Sequence, residues 1–193
     1  MSQSVTLEET AALLQKADHI LLLTHQYPDG DTIGSGYALC QALQSLGKTA
    51  RVACSDEIPG KYAYMTEPVP SPTFEPSFIC AVDVADAKLL GPRLEPYADR
   101  VDLAIDHHAS HRDFQRYLLL DADASATALL IYDLLLCLGA EMTPSIADCL
   151  YTGLATDTGC FKYGSTTPYA HRVAAALMEA GALSASFSGK ICA

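Results

Sequence analysis

Basic residues are scarce in this sequence. Its 193 residues include 12 lysines and arginines against 23 aspartates and glutamates, so the formal net charge is −11 at pH 7. A protein that coats nucleic acid needs a basic face that displaces counterions from the phosphate backbone. The composition therefore argues against long double-stranded nucleic acid as a partner. It leaves room for an enzyme that meets a short phosphorylated substrate through bound metal ions.

Long apolar runs, paired cysteines and nucleotide-binding glycine patterns are also missing. No apolar segment approaches the roughly 20 residues of a membrane-spanning helix, and the polar start MSQSVTLEET is unlike a signal peptide. The seven cysteines include no CxxC pair, so a zinc cage is not indicated. Neither the Rossmann nor the Walker glycine spacing occurs. We expect a soluble, cytoplasmic protein that does not associate with membranes.

What the sequence does contain is an alternation of strand and helix patterns. Short apolar runs predict strands at 19–24, 49–54, 78–84, 101–106 and, as a short edge strand, 116–121. Helical spacing predicts helices at 6–17, 33–47, 125–140, 143–159 and 167–182, with Ser125 as a possible cap of the third. This order predicts an α/β fold with a mostly parallel sheet flanked by helices.

Acidic and imidazole side chains follow three of these strands. They are His25, Asp29 and Asp31 after the first strand, Asp83 after the third, and Asp106, His107 and His108 after the fourth. Ligands of parallel sheets bind beyond the carboxyl ends of the strands, so we expect these groups at one edge. Clustered carboxylates need a compensating charge, and a divalent cation supplies it. Mixed histidine and aspartate ligands suit Mn²⁺, Fe²⁺, Co²⁺ or Zn²⁺. Asp157, in ATDTG, is a further candidate ligand.

Four motifs in this sequence resemble those of the DHH phosphoesterases. They are HQYPDGDTIGSG at 25–36, AVDVAD at 81–86, AIDHHAS at 104–110 and GLATDTGCFKYGSTTP at 153–168. Their order and spacing agree with the family over roughly residues 5–183. The nearest resemblance is to the group of bifunctional oligoribonucleases and 3'-phosphoadenosine-5'-phosphate (pAp) phosphatases.

The resemblance implies a centre of two divalent metal ions, with Mn²⁺ as the first choice. It assigns His25 and Asp29 to one ion, Asp31, His107 and Asp157 to the other, and Asp83 to both. It also places His108 against the substrate phosphate, with Asp106 orienting the histidine pair. The implied chemistry is in-line attack on phosphorus by a hydroxide held between the ions.

Further residues near the motifs are candidates for contacts with substrate. The glycine-rich stretch around Ser35 is expected to open a helix whose free amides could receive an anion. His111 and Arg112, on a predicted loop, and Lys162, after the last motif, could meet phosphate. The expected substrates are short oligoribonucleotides, linear dinucleotides or pAp.

Two other interpretations stay open at this point. The chain could be another DHH hydrolase, namely a single-strand exonuclease, a cyclic-dinucleotide phosphodiesterase or a pyrophosphatase. It could also be a non-catalytic fragment that binds metal or nucleotide. The net acidity favours small substrates over long polymers.

The C-terminal region departs from the family pattern. Relatives usually carry a second domain with a GGGH-type motif, and this sequence ends at LSASFSGKICA without one. We therefore expect one catalytic domain at 1–183 and a divergent tail at 184–193. Because catalysis needs the substrate held against the metals, we expect weak and poorly selective hydrolysis. An apolar patch near the last helix could support a homodimer.

Overall fold

A computed structural model of the chain describes residues 2–182. The predicted tail at 184–193 and its boundary lie outside the described residues. The strands are β1 (Gln3–Ser4), β2 (Ile20–Leu23), β3 (Ala50–Ala53), β4 (Phe78–Val82), β5 (Leu103–Asp106) and β6 (Tyr117–Leu120). The helices are α1 (Leu7–Lys16), α2 (Gly30–Ser45), α3 (Ala63–Thr66), α4 (Thr127–Leu138), α5 (Pro144–Asp157) and α6 (Pro168–Glu179). Short 3₁₀ turns lie at Gly60–Tyr62, Ala87–Leu90 and Glu95–Arg100.

The six strands form one parallel sheet in the order β1-β6-β5-β4-β2-β3. The predicted α/β class and parallel sheet are therefore confirmed. β6 is not an edge strand, because β1 pairs with it in a position that the sequence pattern did not reveal. The three strands that carry the candidate ligands, β5, β4 and β2, are direct neighbours in the middle of the sheet.

Both faces of the sheet are buried, which explains why its strands are apolar without alternation. One face packs against the long helices, with Leu22, Val82 and Ile105 in that core. The opposite face, which includes Leu21 and Ala81, is covered by the segments around the 3₁₀ turns at Ala87–Leu90 and Glu95–Arg100. Burial on two sides holds the carboxyl ends of the strands in fixed positions.

The helix ends agree with the sequence signals in α1 and differ from them in α2 and α4. Thr6 and Glu9 form the predicted capping box of α1. Helix α2 begins at Gly30, earlier than predicted, because the Asp29 side chain accepts from the first free N–H groups. Ser125 does not cap α4, and its hydroxyl donates instead to the carbonyl of Ser165 at 2.6 Å.

Helices α2 and α5 approach each other closely, and glycines make this approach possible. A Cβ atom on Gly34 would lie closer than 3.0 Å to the carbonyl oxygen of Cys149, and one on Gly153 would lie 2.8 Å from Oδ1 of Asp31. The contact brings the start of α2 next to the end of α5. Within residues 2–182, no helix combines the length and the apolar character that crossing a membrane requires.

Candidate metal centre

The carboxyl ends of β2, β4 and β5 bring the candidate ligands together in two groups. His25, Asp29 and Asp83 form one group, and Asp31, His107 and Asp157 form the other. In each group, one donor atom per residue lies within 4.8 Å of the others. Asp157 is the last residue of α5.

Asp83 belongs to the first group and also lies close to the second, since with His107 and His108 it forms a third set of possible metal ligands. Its Oδ2 is 3.6 Å from Nε2 of His25, and its Oδ1 is 3.9 Å from Nε2 of His107. The backbone of Asp83 has a positive φ of 61°, which is uncommon for any residue other than glycine. The surrounding structure holds this conformation, since the Asp83 N–H donates to the carbonyl of Ile105 at 2.9 Å.

Backbone carbonyls orient the two inward-facing histidines. Nδ1 of His25 lies 2.6 Å from the Gln26 carbonyl, and Nδ1 of His107 lies 3.1 Å from the Ala124 carbonyl. A carbonyl only accepts, so each Nδ1 carries a proton, and the neutral ring keeps its lone pair on Nε2. This is the arrangement that histidine ligands of metals need.

Nε2 of His107 is a buried polar atom without a hydrogen bond among the described residues. It lies 3.1 Å from Oδ2 of Asp157 but is not oriented to donate to it. It also faces Oδ2 of Asp31 at 4.0 Å. Leaving such an atom unpaired costs free energy. The donor set around it, two carboxylates and an imidazole, fits a divalent transition metal ion.

Asp31 is fully buried and anchors a second helix. Its carboxylate accepts from the N–H groups of Thr127 at 2.7 Å and Ala128 at 3.0 Å, which are the first free donors of α4. The Ser35 hydroxyl donates to the same carboxylate at 3.0 Å. Asp31 therefore caps a helix that lies far from it in sequence, and its position is fixed from two sides.

Clustering changes the pKa values of the charged groups. Burial and the neighbouring Asp83 carboxylate raise the pKa of Asp31 and of Asp29 above its usual range. Burial works against the charged form of His25, but Asp83, the Gln26 carbonyl and Asp29 outweigh it and raise the pKa to about 9. Burial also works against the charged form of His107, but the carboxylates of Asp157, Asp31 and Asp83 outweigh burial and raise the pKa of His107. These shifts indicate an excess of negative charge that a bound cation would neutralise in place of protons.

Asp106 lies behind the histidine pair. Its Oδ1 is 2.7 Å from Nδ1 of His108, which is the more exposed of the two DHH histidines. Burial opposes ionisation of Asp106, yet hydrogen bonds from His108 and His111 hold its pKa far below the usual range. Hydrogen bonding to Asp106 is also the main cause that raises the pKa of His108.

Two of the four predicted substrate contacts are buried within the fold. Ser35 is in the second turn of α2 and bonds to Asp31, so neither its hydroxyl nor a free helix end faces a ligand. His111 is 1% exposed and bonds to Asp106 at 2.6 Å. Both side chains donate inward, to Asp31 and Asp106, so a substrate contact by either residue stays a prediction.

The other two predicted contacts remain accessible. The Arg112 side chain is 74% exposed, and its Nε lies 3.6 Å from Asp86. Lys162 is exposed in the turns that follow α5. Among the described residues, neither side chain has a hydrogen bond or ion pair with a candidate metal ligand.

Sequence reasoning missed Thr127, which joins the two groups. Its hydroxyl donates to Oδ1 of Asp83 at 2.7 Å, while its N–H donates to Asp31. The available signal was the segment SAT at 125–127, directly before an apolar helix, in which the sequence pattern favours Ser125 as the cap. Thr32 was missed as well, although its hydroxyl donates to the carbonyl of Val82 beside Asp83.

Comparisons with known proteins show which family this chain belongs to. A 32% identical relative over 177 residues is the bifunctional oligoribonuclease and PAP phosphatase NrnA of Thermus thermophilus, with 89% of this chain and 53% of that protein covered. The chain thus spans about half the length of the curated relatives that it matches.

Two solved structures show the same fold. An exopolyphosphatase-related protein from Bacteroides fragilis superposes with a TM-score of 0.84 at 25% identity, covering 96% of this chain and 59% of that one. The exonuclease RecJ bound to manganese superposes with a TM-score of 0.56 at 16% identity, covering 87% and 46%. The model of the DHH family, N-terminal domain, matches residues 19–154, and this chain is therefore a member of the DHH family.

Proposed function

We propose that this chain forms the metal-binding catalytic part of a phosphoesterase that hydrolyses short oligoribonucleotides or pAp. The observation that carries the proposal is the convergence of six histidine and aspartate donors in two groups, one of which contains the buried Nε2 of His107, an atom without a hydrogen bond among the described residues. The substrate class comes from the activity for which the Thermus thermophilus relative is named. Residues 1–183 would constitute the catalytic domain.

Two divalent ions fit the donors. His25 and Asp29 would hold one ion, Asp31, His107 and Asp157 the other, and Asp83 would contact both. When bound, the ions would supply Lewis acidity at a phosphoryl oxygen and lower the pKa of water. The mixture of imidazole and carboxylate favours Mn²⁺ over Ca²⁺, which takes oxygen ligands, and the net charge of −11 favours cation binding in general.

His108 would orient and stabilise the phosphoryl group. Its Nδ1 proton is committed to Asp106, so Nε2 is the ring nitrogen left to a substrate oxygen. The raised pKa of His108 favours the protonated ring, which donates to a phosphoryl oxygen and balances its negative charge. Arg112 and Lys162 would be the exposed cations that meet the remaining phosphates.

The test is hydrolysis of pAp and of a linear diadenylate with Mn²⁺, measured as released phosphate and mononucleotide. Asp83→Ala is expected to abolish both, because it removes the carboxylate shared by the two groups. Glu141→Gln, which removes an exposed acid before the start of α5, at the end of that helix opposite Asp157, is the matched control and should keep full activity.

Two results would reject the proposal. One is the absence of turnover in protein that binds Mn²⁺, and the other is equal activity in Asp83→Ala. Pyrophosphate and single-stranded DNA, assayed in parallel, distinguish the alternative activities. If pyrophosphate or single-stranded DNA is cleaved faster than pAp and the diadenylate, the chain is instead a pyrophosphatase or a single-strand exonuclease.

A further inference from the structure

Asp106 is a buried carboxylate held between two imidazole rings. Its Oδ1 accepts from the N–H groups of His107 at 2.8 Å and His108 at 3.2 Å and lies 2.7 Å from Nδ1 of His108. Its Oδ2 lies 2.6 Å from Nδ1 of His111. A carboxylate oxygen only accepts, so Nδ1 carries a proton in both rings. His108 is 41% exposed, whereas His111 is 1% exposed.

The ring of His111 is itself fixed on every side. Its Nε2 lies 3.3 Å from Oε1 of Gln115, and the same oxygen accepts from the N–H of Phe114 at 2.8 Å, which sets the orientation of the amide. The Phe114 ring stacks on the imidazole of His111, with 5.8 Å between the two ring centroids. The backbone N–H of His111 donates to the carbonyl of His108 at 3.0 Å. His111 therefore has no second position in which it could leave Asp106.

We propose that His111 is a positioning residue, which fixes the plane of the Asp106 carboxylate and thereby the tautomer and direction of the His108 ring. The proposal rests on the proposed function, because it concerns the residue that would face substrate. A carboxylate held through one oxygen can turn about its Cβ–Cγ bond. Donors on both oxygens prevent this rotation, so His108 keeps Nδ1 protonated against Asp106 and leaves Nε2 for a substrate oxygen.

Because His111 is buried, a positioning role fits it better than a direct contact with substrate. A residue that met phosphate would keep a donor accessible, but both ring nitrogens of His111 face buried oxygens of its own fold. The polar partner beyond it, Gln115, is also buried. His111 thus acts on the reaction only through Asp106 and His108.

The test compares His111→Asn with His111→Gln. An asparagine amide nitrogen can take the place of Nδ1 and donate to Asp106, whereas a glutamine amide nitrogen lies nearer the place of Nε2. The tautomer of His108 is read from the ¹⁵N chemical shifts of its imidazole in ¹⁵N-histidine-labelled protein, at an alkaline pH at which the ring is neutral. We expect a single Nδ1–H tautomer in the wild type and in His111→Asn, and a mixture of tautomers in His111→Gln.

Steady-state kinetics of the same variants provide the second measurement. With Mn²⁺ and pAp, His111→Gln should lower kcat about 10- to 100-fold, the usual effect of losing such a supporting hydrogen bond, with a smaller change in KM. Affinity for Mn²⁺ should stay near the wild-type value, because His111 contacts no candidate ligand. His111→Asn should restore most of kcat.

Phe114→Leu is the packing control, since it removes the stacked ring but leaves the hydrogen bond to Asp106. The proposal is overturned if the His108 tautomer is the same in both His111 variants, or if Phe114→Leu disturbs it as much as His111→Gln. Absence of turnover in the wild type would reject the proposed function alone, because the ¹⁵N measurement needs no substrate.

Discussion

Gly34 lies where helix α2 contacts helix α5, and alanine there should weaken metal binding without changing any candidate ligand. The added Cβ would lie closer than 3.0 Å to the carbonyl oxygen of Cys149, which belongs to the rigid backbone of α5. The two helices must separate by roughly 1 Å to reach an ordinary contact distance. Asp31 precedes Gly34 on α2 and Asp157 ends α5, so the separation moves two donors of one group apart.

Two effects of different size are expected from Gly34→Ala. Overpacking of this kind costs about 1–3 kcal/mol of unfolding free energy, which lowers Tm by about 2–12 °C in a chain of this size. Displacing a ligand pair should weaken Mn²⁺ binding about 10- to 100-fold, as changes in the support of metal ligands do. Thermal unfolding and titration calorimetry with Mn²⁺ measure the two quantities separately.

Gly60→Ala is the matched control, because a Cβ at that position meets nothing within 4 Å. Unchanged stability in Gly34→Ala would refute the close approach of the helices. Lower stability with unchanged Mn²⁺ affinity would show that the distance between α2 and α5 does not set the geometry of the donor group.

Three other changes probe the site from different directions. Thr127→Val removes the hydroxyl that donates to Asp83 at 2.7 Å, so we expect a loss of about 1–3 kcal/mol in stability, seen by chemical denaturation, and weaker Mn²⁺ binding. Metal-free protein should lose stability as pH rises from 6.5 to about 9, because the proton bound to His25 stabilises the fold fully below its ordinary pKa and is released near pH 9. That contribution is about 3 kcal/mol, measurable by urea titration at each pH. Ser35→Ala should weaken Mn²⁺ binding through Asp31 and leave KM for substrate nearly unchanged.

Each of these changes has a control or a contradicting result. Thr10→Val removes an equally buried hydroxyl, bonded to the Thr6 carbonyl at 2.8 Å, and should leave Mn²⁺ affinity intact. His25→Gln should make the pH dependence shallower, with His107 and His108 still contributing, and a curve as steep as that of the wild type would contradict the assignment. A raised KM in Ser35→Ala with normal Mn²⁺ affinity would restore a contact between Ser35 and substrate.

Much of the architecture was predictable from the sequence. Apolar strands alternating with helical patterns predicted the parallel α/β sheet, and Thr6 with Glu9 predicted the first helix start. These signals are local, because hydrophobic period and capping depend on residues a few positions apart. The four motifs predicted the family, and the family model confirms it. The individual ligand roles stay predictions, although the structure brings all six residues together.

What the tertiary structure decided is which polar side chains face inward. Ser35 and His111 have the residue types of phosphate contacts, and only packing shows that they donate to Asp31 and Asp106. The capping of α4 by Asp31 joins segments that no local pattern relates. The sequence alone determined which chemical groups reach the sheet edge. Their burial and hydrogen-bond partners depend on contacts between residues far apart in the chain, so only the fold determined them.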